Sequence, residues 1–373
     1  MAKNLASKYA KKVDERFHLE SQAMMALNSD YSFTGVKMVN VYSVPVVPMN
    51  DYNRGGSGDR YGTPTDLAPN VQSLDVKRDR SFTFIIDRGD KIQSEMVLEA
   101  GKAMARQLRE VCVPEFDAYV FKTLAAAATA RGSYSTTAIT KSNAYEVFLK
   151  GMEHMGNHNV PDKGRVCFAT YGFANLLKQD PAFVKTGDKS QDLVEKGVIG
   201  EVDGCKIVRV PSSRLPAGAA FLITHSCAAC APKQLNDYKI HDNPPGISGW
   251  KVEGRLIYDC FVLNNKVDAI YYHGSQAVLK NLLVDTYASN TGKSTVQVVA
   301  ELEGASRWYK TAATAAALPA VTHGTAIDTT AWTQLTSNSL EIVPAITDTA
   351  VRVVEIDANK KPIAMGDSVL NIG

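Results

Sequence analysis

The segment THSCAAC brings His225, Cys227 and Cys230 within metal-binding spacing, and a CxxC pair is also a redox motif. No second CxxC or HxxxH pair stands at the distance a zinc finger needs, and no acidic residue completes a deaminase pattern. Small residues packing where a strand enters a helix account for the segment better. His154 and His158 are four apart, but Gly156 and Asn157 are expected to break a helix between them, and the glutamate of HExxH is missing. They read as surface histidines. Gly292, Lys293 and Ser294 resemble the end of a phosphate loop; Tyr287 stands where its first glycine belongs, and strand formers follow where phosphates need a helix N-terminus. Asp51, Asn53, Gly56 and Asp59 have calcium-loop spacing, with Gly62 in place of the bidentate glutamate and strands on both sides. No nucleophile elbow presents a serine. These residues offer no catalytic, cofactor or metal site, and the rival reading is a thiol- or metal-dependent enzyme using Cys227 and Cys230.

Composition narrows the classes further. With 373 residues, 45% of them apolar, the chain can bury a real core and divide into two or three compact units. Its 41 basic and 39 acidic residues leave a formal charge of +2, so no global field exists to grip DNA or an anionic membrane. No apolar run approaches the roughly 20 residues of a spanning helix, and the first twenty residues lack a signal-peptide core. Six cysteines dispersed over this length read as reduced thiols. A soluble chain made in the cytosol is expected.

The elements come next. Residues 1–20 predict a basic amphipathic helix with Leu5, Tyr9, Val13 and Phe17 on one side and Lys8, Lys11, Lys12 and Arg16 clustered. Residues 36–47 are rich in strand formers. Over 72–86 the apolar Leu74, Val76, Phe82, Phe84 and Ile86 alternate with polar residues, interrupted by Arg78 and Arg80. That period predicts one strand of roughly 50 Å at 3.3 Å per residue, too long for a single compact domain. The stretch between the two runs is full of Gly, Pro, Asp and Asn and reads as a flexible tip. A long two-stranded ribbon is marginal alone in water, so it is expected to lie across another copy of the chain. At its tip Asp51, Arg54, Asp59, Arg60 and Asp66 carry mixed charge suited to setting register, and these are the assembly-interface candidates.

A helix is predicted over 90–111 and a second from Pro114 to 128, with Glu115 and Asp117 suiting its positive N-terminus. After a Gly/Ser/Thr-rich link, an α+β unit follows: a helix capped by Ser142, a strand at 165–170, a helix at 171–178, and strands at 219–224, 250–263 and 266–272, the last two paired around Asn264-Asn265. The run VIGEVDGCKIVRVP predicts a hairpin turning at Asp203-Gly204. From Ser294 the chain reads as a small separate β-domain, with VQVVAELEG and VRVVEIDANKKPI as echoing strand-turn segments.

The order of these elements resembles a known family. The segments DRSFTFIIDRGDK (79–91), VPEFDAY (113–119), VIGEVDGCKIVRVP (198–211) and NPPGISGWKVEGRLIYDCFVL (243–263) look like those of the major capsid proteins of tailed double-stranded-DNA bacteriophages, whose fold is named after phage Hong Kong ninety-seven. The resemblance spans about residues 2–274. It implies an α+β fold with an N-terminal arm (1–35), an extended loop (36–86), a peripheral domain with a spine helix (87–139 and 246–293) and an axial domain (140–245), to which a C-terminal β-rich extension (294–373) is added.

By that resemblance the chain is a non-enzymatic virion protein, assembled in the host cytoplasm. It would build pentamers and hexamers into an icosahedral shell around double-stranded DNA, touched weakly and non-specifically. Scaffolding, portal and decoration proteins are the implied further partners, with no cofactor and no membrane. Some relatives join a lysine of the extended loop to an asparagine of a neighbour; no lysine occurs here between Lys37 and Lys77, so noncovalent closure is expected. An encapsulin-like compartment holding cargo protein is the alternative use of the same fold.

Overall fold

The computed structural model describes residues 20–28, 30–31, 38–55, 60–89, 100–180, 198–300 and 302–373. The basic helix expected over 1–20 lies almost wholly outside the described residues, as do Ile92 and Met96 of the next predicted helix. Helix α1 (Ala100–Gln107) runs through a π-helical turn at Leu108–Cys112 into α2 (Val113–Arg131), so the rod is continuous over about 48 Å at 1.5 Å per residue. The break predicted at Pro114 is absent. The proline ring would clash with a carbonyl in the preceding turn, and the wider π turn opens the space it needs. At the other end Gly132 adopts φ 84°; its N–H donates to the Thr129 carbonyl at 3.1 Å and the Ser133 N–H to that of Ala128 at 2.9 Å, closing the helix as a Schellman motif.

One face of α2, with Phe116, Val120, Phe121, Leu124 and Ala128, packs onto a six-stranded sheet together with α3 (Ala144–Asn157) and α4 (Tyr171–Gln179). The sheet runs in the spatial order Tyr134–Ser135, Ile270–Gly274, Ala219–His225, Arg165–Thr170, Cys205–Val210, Val198–Val202. Its edge hairpin turns at Asp203 (φ 52°) and Gly204 (φ 72°), the two positive φ angles of a type I′ turn, as predicted. Asn143 rather than Ser142 occupies the cap position of α3, and the Asp180 carboxylate accepts the Tyr145 N–H at 3.1 Å. Gly156 and Asn157 do not break α3 but form its last turn, where such residues are tolerated, so the rings of His154 and His158 meet with centroids 4.3 Å apart, tilted by 39°.

A three-stranded sheet, ordered Lys233–Asp242, Gly249–Tyr258, Arg78–Asp87, lies beside α1. The predicted pairing of 250–263 with 266–272 is replaced: Asn264–Ala269 is a 3₁₀ helix, and Ile270–Gly274 pairs with Ala219–His225 in the larger sheet. The long strand predicted over 72–86 is likewise divided at Val76 and Lys77. Asn70–Asp75 pairs with Met38–Ser43 as a two-stranded ribbon, Met38 opposite Asp75 and Ser43 opposite Asn70, while Arg78–Asp87 enters the three-stranded sheet. The paired ribbon is therefore about 20 Å long, at 3.3 Å per residue.

The C-terminal β-body has its own core. A five-stranded sheet (Lys280–Asn281, Pro362–Val369, Ala350–Ile356, Ser306–Ala312, Thr333–Leu335) and a three-stranded sheet (Val284–Ala288, Ser294–Val298, Ser339–Ile342) bury Val284, Val296, Ile342, Val351 and Val353 between them. Its first strands thus precede Ser294. Arg307 and Glu355, each 2% exposed, pair at 2.8 Å across neighbouring strands, and the Glu355 carboxylate also accepts the N–H groups of Glu303 and Gly304. Full hydrogen bonding of this buried pair offsets the cost of desolvating it.

Candidate functional site

The root of the ribbon is a densely hydrogen-bonded polar site. Where the strand divides, the Lys77 N–H donates to Asp259 Oδ2 at 3.0 Å, and the other Asp259 oxygen accepts from the Tyr119 hydroxyl at 2.7 Å and the Cys260 N–H at 2.8 Å. One residue on, Arg78 Nη2 donates to Glu115 Oε1 at 2.7 Å and Arg80 Nε to the same oxygen at 2.8 Å. The Arg78 Nε–H donates to the Tyr258 hydroxyl at 3.0 Å, and its guanidinium lies 4.4 Å from the Tyr119 ring centroid. Gln72 completes the attachment: its amide N–H donates to the Val262 carbonyl at 2.9 Å and its amide oxygen accepts the Asn264 N–H at 3.0 Å. Beneath these, Leu74 and Val76 are buried with Cys230 and Leu263.

Electrostatics distinguish the two carboxylates. Burial raises the Asp259 carboxyl, and its three donors only partly offset that rise. For Glu115 burial also acts upward, but the Arg78 hydrogen bond and the charges of Arg80 and Arg78 outweigh it and hold the carboxyl below its ordinary range. Two residues along α2, Asp117 is fully buried and pairs with Arg214 at 2.7 Å. It also accepts from the Ser21 hydroxyl at 2.6 Å and the Gln22 N–H at 3.0 Å, tying the segment before the ribbon to the helix. Glu115 and Asp117 thus serve tertiary pairs inside a continuous helix, not the helix N-terminus expected from sequence. This arrangement ties the ribbon strand to α2 and to the segment at 258–264.

The loop itself is exposed. Asp51, Arg54, Arg60 and Asp66 all lie at the surface, and Asp59 lies outside the described residues. The Asn53 N–H donates to the Arg60 carbonyl at 3.0 Å, and the rings of Tyr52 and Tyr61 meet edge to face at 5.0 Å. Around them Val46 is 92% and Met49 99% exposed, with Tyr42, Val44, Val47 and Tyr61 also bare. Five of these exposed apolar side chains fall within the eight residues from Tyr42 to Met49.

The residues that first suggested chemistry are otherwise engaged. His225 Nδ1 accepts the Cys227 N–H at 3.2 Å, and its Nε2 donates to the Lys163 carbonyl at 2.9 Å, leaving no ring nitrogen for a metal. Burial pushes the Cys230 thiol up to about 11 and raises that of Cys227, away from the reactive thiolate. Gly292, Lys293 and Ser294 close a β-hairpin, with Lys293 paired to Glu341 at 2.7 Å. Among the described residues no three His, Cys, Asp or Glu side chains converge as a metal site, and no helix is long and apolar enough to cross a membrane.

No protein-family profile matches the chain, and no curated protein is similar to it in sequence. Solved structures are similar in fold. A chain from Mycobacterium phage Che8 superposes with a TM-score of 0.60 over 74% of this chain and 98% of its own, at 16% identity. A chain from the capsid of cyanophage P-SCSP1u gives 0.57 over 73% and 93%, at 14% identity, and one from the mature capsid of bacteriophage PhiM1 gives 0.57 over 72% and 91%, at 12% identity. This chain has the phage capsid fold.

The α+β, Hong Kong ninety-seven-like fold expected from sequence is the one observed. Sequence reasoning missed the anchoring residues Arg78, Glu115, Asp117, Arg214 and Asp259. The signal for Arg78 and Arg80 was present, since they interrupt the alternation between Val76 and Phe82; nothing local marked Asp259 as their neighbour.

Proposed function

We propose that this chain is the major capsid protein of a tailed double-stranded-DNA bacteriophage, a structural virion protein whose many copies close into an icosahedral shell. The observation that carries this reading is the capsid fold joined to an extended loop whose apolar side chains are exposed in the single chain. Each contact between copies needs only about 1,000 to 2,000 Å², because multivalency makes the whole far more durable than its parts. A formal charge of +2 suits a wall that holds densely charged DNA without gripping it, since each neutralised phosphate adds salt-sensitive affinity.

In this reading residues 140–245 form the axial domain, 87–139 with the part of 246–293 that precedes the β-body strand at Lys280 the peripheral domain, and Asp51, Arg54, Asp59, Arg60 and Asp66 set the register of the loop on a neighbouring copy. Pentamers and hexamers are the assembly units, and scaffolding, portal and decoration proteins are the further partners. The C-terminal β-body, with its separate core, is an addition of about the size that the phage chains leave unmatched.

Electron microscopy of the chain expressed alone tests the reading. Shells, tubes or capsomer rings are expected, and a chain that stays monomeric at high concentration overturns it. Deleting residues 51–68 is expected to leave a folded subunit that does not assemble; normal shells from that deletion would refute the role given to the loop.

A further inference from the structure

The end of α3 carries two imidazoles that take no part in the ribbon root. His154 and His158 are four residues apart, so they share one face of the helix, and their ring centroids lie 4.3 Å from each other. The His158 Nδ1–H donates to the His154 carbonyl at 2.7 Å, which fixes the tautomer and leaves the lone pair of that ring on Nε2. His158 is exposed, so an ion from solvent has a way in. His154 Nε2 is covered by its surroundings yet has no hydrogen-bond partner. A covered polar atom left in that state costs free energy, which a ligand on the nitrogen would recover.

The backbone beneath the two rings is fixed. Asn159, at φ 58°, closes the helix: its N–H donates to the Gly156 carbonyl at 3.0 Å, and the Val160 N–H to that of Met155 at 3.0 Å, which is a Schellman motif. The His154 ring also lies 5.4 Å from the ring of Tyr271, on the strand Ile270–Gly274. Little ordering is therefore left for a ligand to impose. The surroundings favour a cation. Both rings stand at the negative end of the helix dipole, and Asp268, whose carboxylate Arg131 holds at 2.7 Å, still acts electrostatically on both. Burial, with His158 alongside, holds His154 below the usual imidazole value, so its ring is neutral and able to ligate at neutral pH.

We propose that His154 and His158 form a two-ligand site for a divalent transition-metal ion such as Zn²⁺ or Ni²⁺. Zinc–nitrogen bonds of about 2.0 to 2.1 Å require the two ligating nitrogens to lie within about 4 Å of each other, which the ring separation allows. Imidazole selects such ions over Mg²⁺ and Ca²⁺, which take oxygen ligands. Water completes the coordination, since no third His, Cys, Asp or Glu among the described residues joins the pair. A bound ion ties the last turn of α3 to its cap, so the stability of the subunit rises with the concentration of free metal. The site belongs to the single chain and is independent of the shell reading.

Isothermal titration of the full chain with Zn²⁺ and, separately, with Ni²⁺ tests the site. One ion per chain is expected, with no competition from Mg²⁺. His158→Gln, an exposed change, is expected to leave the metal-free thermal midpoint unaltered while weakening binding roughly tenfold or more, and His154→Gln should weaken it likewise. Saturating ion should raise the thermal midpoint of the unmodified chain by about 2 °C or more, a shift that both variants lose. Cys112→Ala with Cys227→Ala removes the two incompletely buried thiols and is expected to leave binding intact. No binding by the unmodified chain, binding that survives both histidine changes, or binding that disappears with the thiols would each overturn the site, while the shell reading stands or falls on its own experiment.

Discussion

Arg78 Nη2 lies 2.7 Å from Glu115 Oε1, so the strand that continues from the ribbon and the helix that spans the subunit share one carboxylate. Arg80 donates to the same oxygen, which makes Glu115 the point where the direction of the extended loop is set. Because Glu115 is partly exposed, solvent screening limits what the pair contributes. Glu115→Gln keeps the shape and removes the charge, and is expected to cost about 0.5 to 1.5 kcal/mol at neutral pH, measured by denaturant unfolding.

The same residue predicts a pH dependence. Glu115 has its folded pKa held below the ordinary 4.5, so its contribution is present above pH 4.5 and is lost as pH falls through the folded value. The difference in thermal midpoint between the native chain and Glu115→Gln should shrink on acidification below pH 4.5. A constant difference would show that the charge is not what Arg78 and Arg80 recognise.

Asp117→Ala strands Arg214 in the interior. Breaking a buried pair from one side costs about 3 to 5 kcal/mol, since an uncompensated charge remains. Hydrogen exchange should report a second consequence: Gln22 and Ala23, whose N–H groups donate to Asp117, lose protection. Global destabilisation with those amides still protected would mean that other contacts hold this segment.

Gly254 lies opposite Phe82 in the three-stranded sheet, and a Cβ there would come 2.3 Å from the Phe82 ring. Gly254→Ala is expected to destabilise by about 1 to 3 kcal/mol through overpacking. The double variant with Phe82→Leu should recover part of that loss in thermal melts, because the smaller side chain vacates the space. No recovery would show that the Phe82 ring is not what limits the residue at 254.

Glu355→Ala removes the partner of Arg307 and the single oxygen, Oε1, that accepts both the Glu303 and Gly304 N–H groups. About 3 to 5 kcal/mol should be lost from the β-body. Since that body has a separate core, exchange should quicken over 303–369 while the amides of Arg165–Thr170 stay protected. Uniform loosening of both regions would indicate one cooperative unit.

Local physics in the sequence determined much of the fold. Asp203-Gly204 specified its hairpin because the turn conformation is decided by two residues, and the apolar alternation at Phe82, Phe84 and Ile86 specified a strand because the period of two is a property of the pleat. The order of such elements was enough to suggest the capsid fold. Tertiary contacts decided the rest. A regular period over 72–86 says nothing about which partner each half meets, so only the packing of Asp259 against the Lys77 N–H shows where the strand leaves one sheet for another. Proline at 114 carries a general bias against helix, and only the neighbouring π turn shows that the helix passes through it. Glu115, Asp117 and Arg214 are unremarkable charges in a string; their meaning lies in partners 35 to 97 residues away. Periodicity is encoded locally, whereas pairing depends on which surfaces the folded chain brings together.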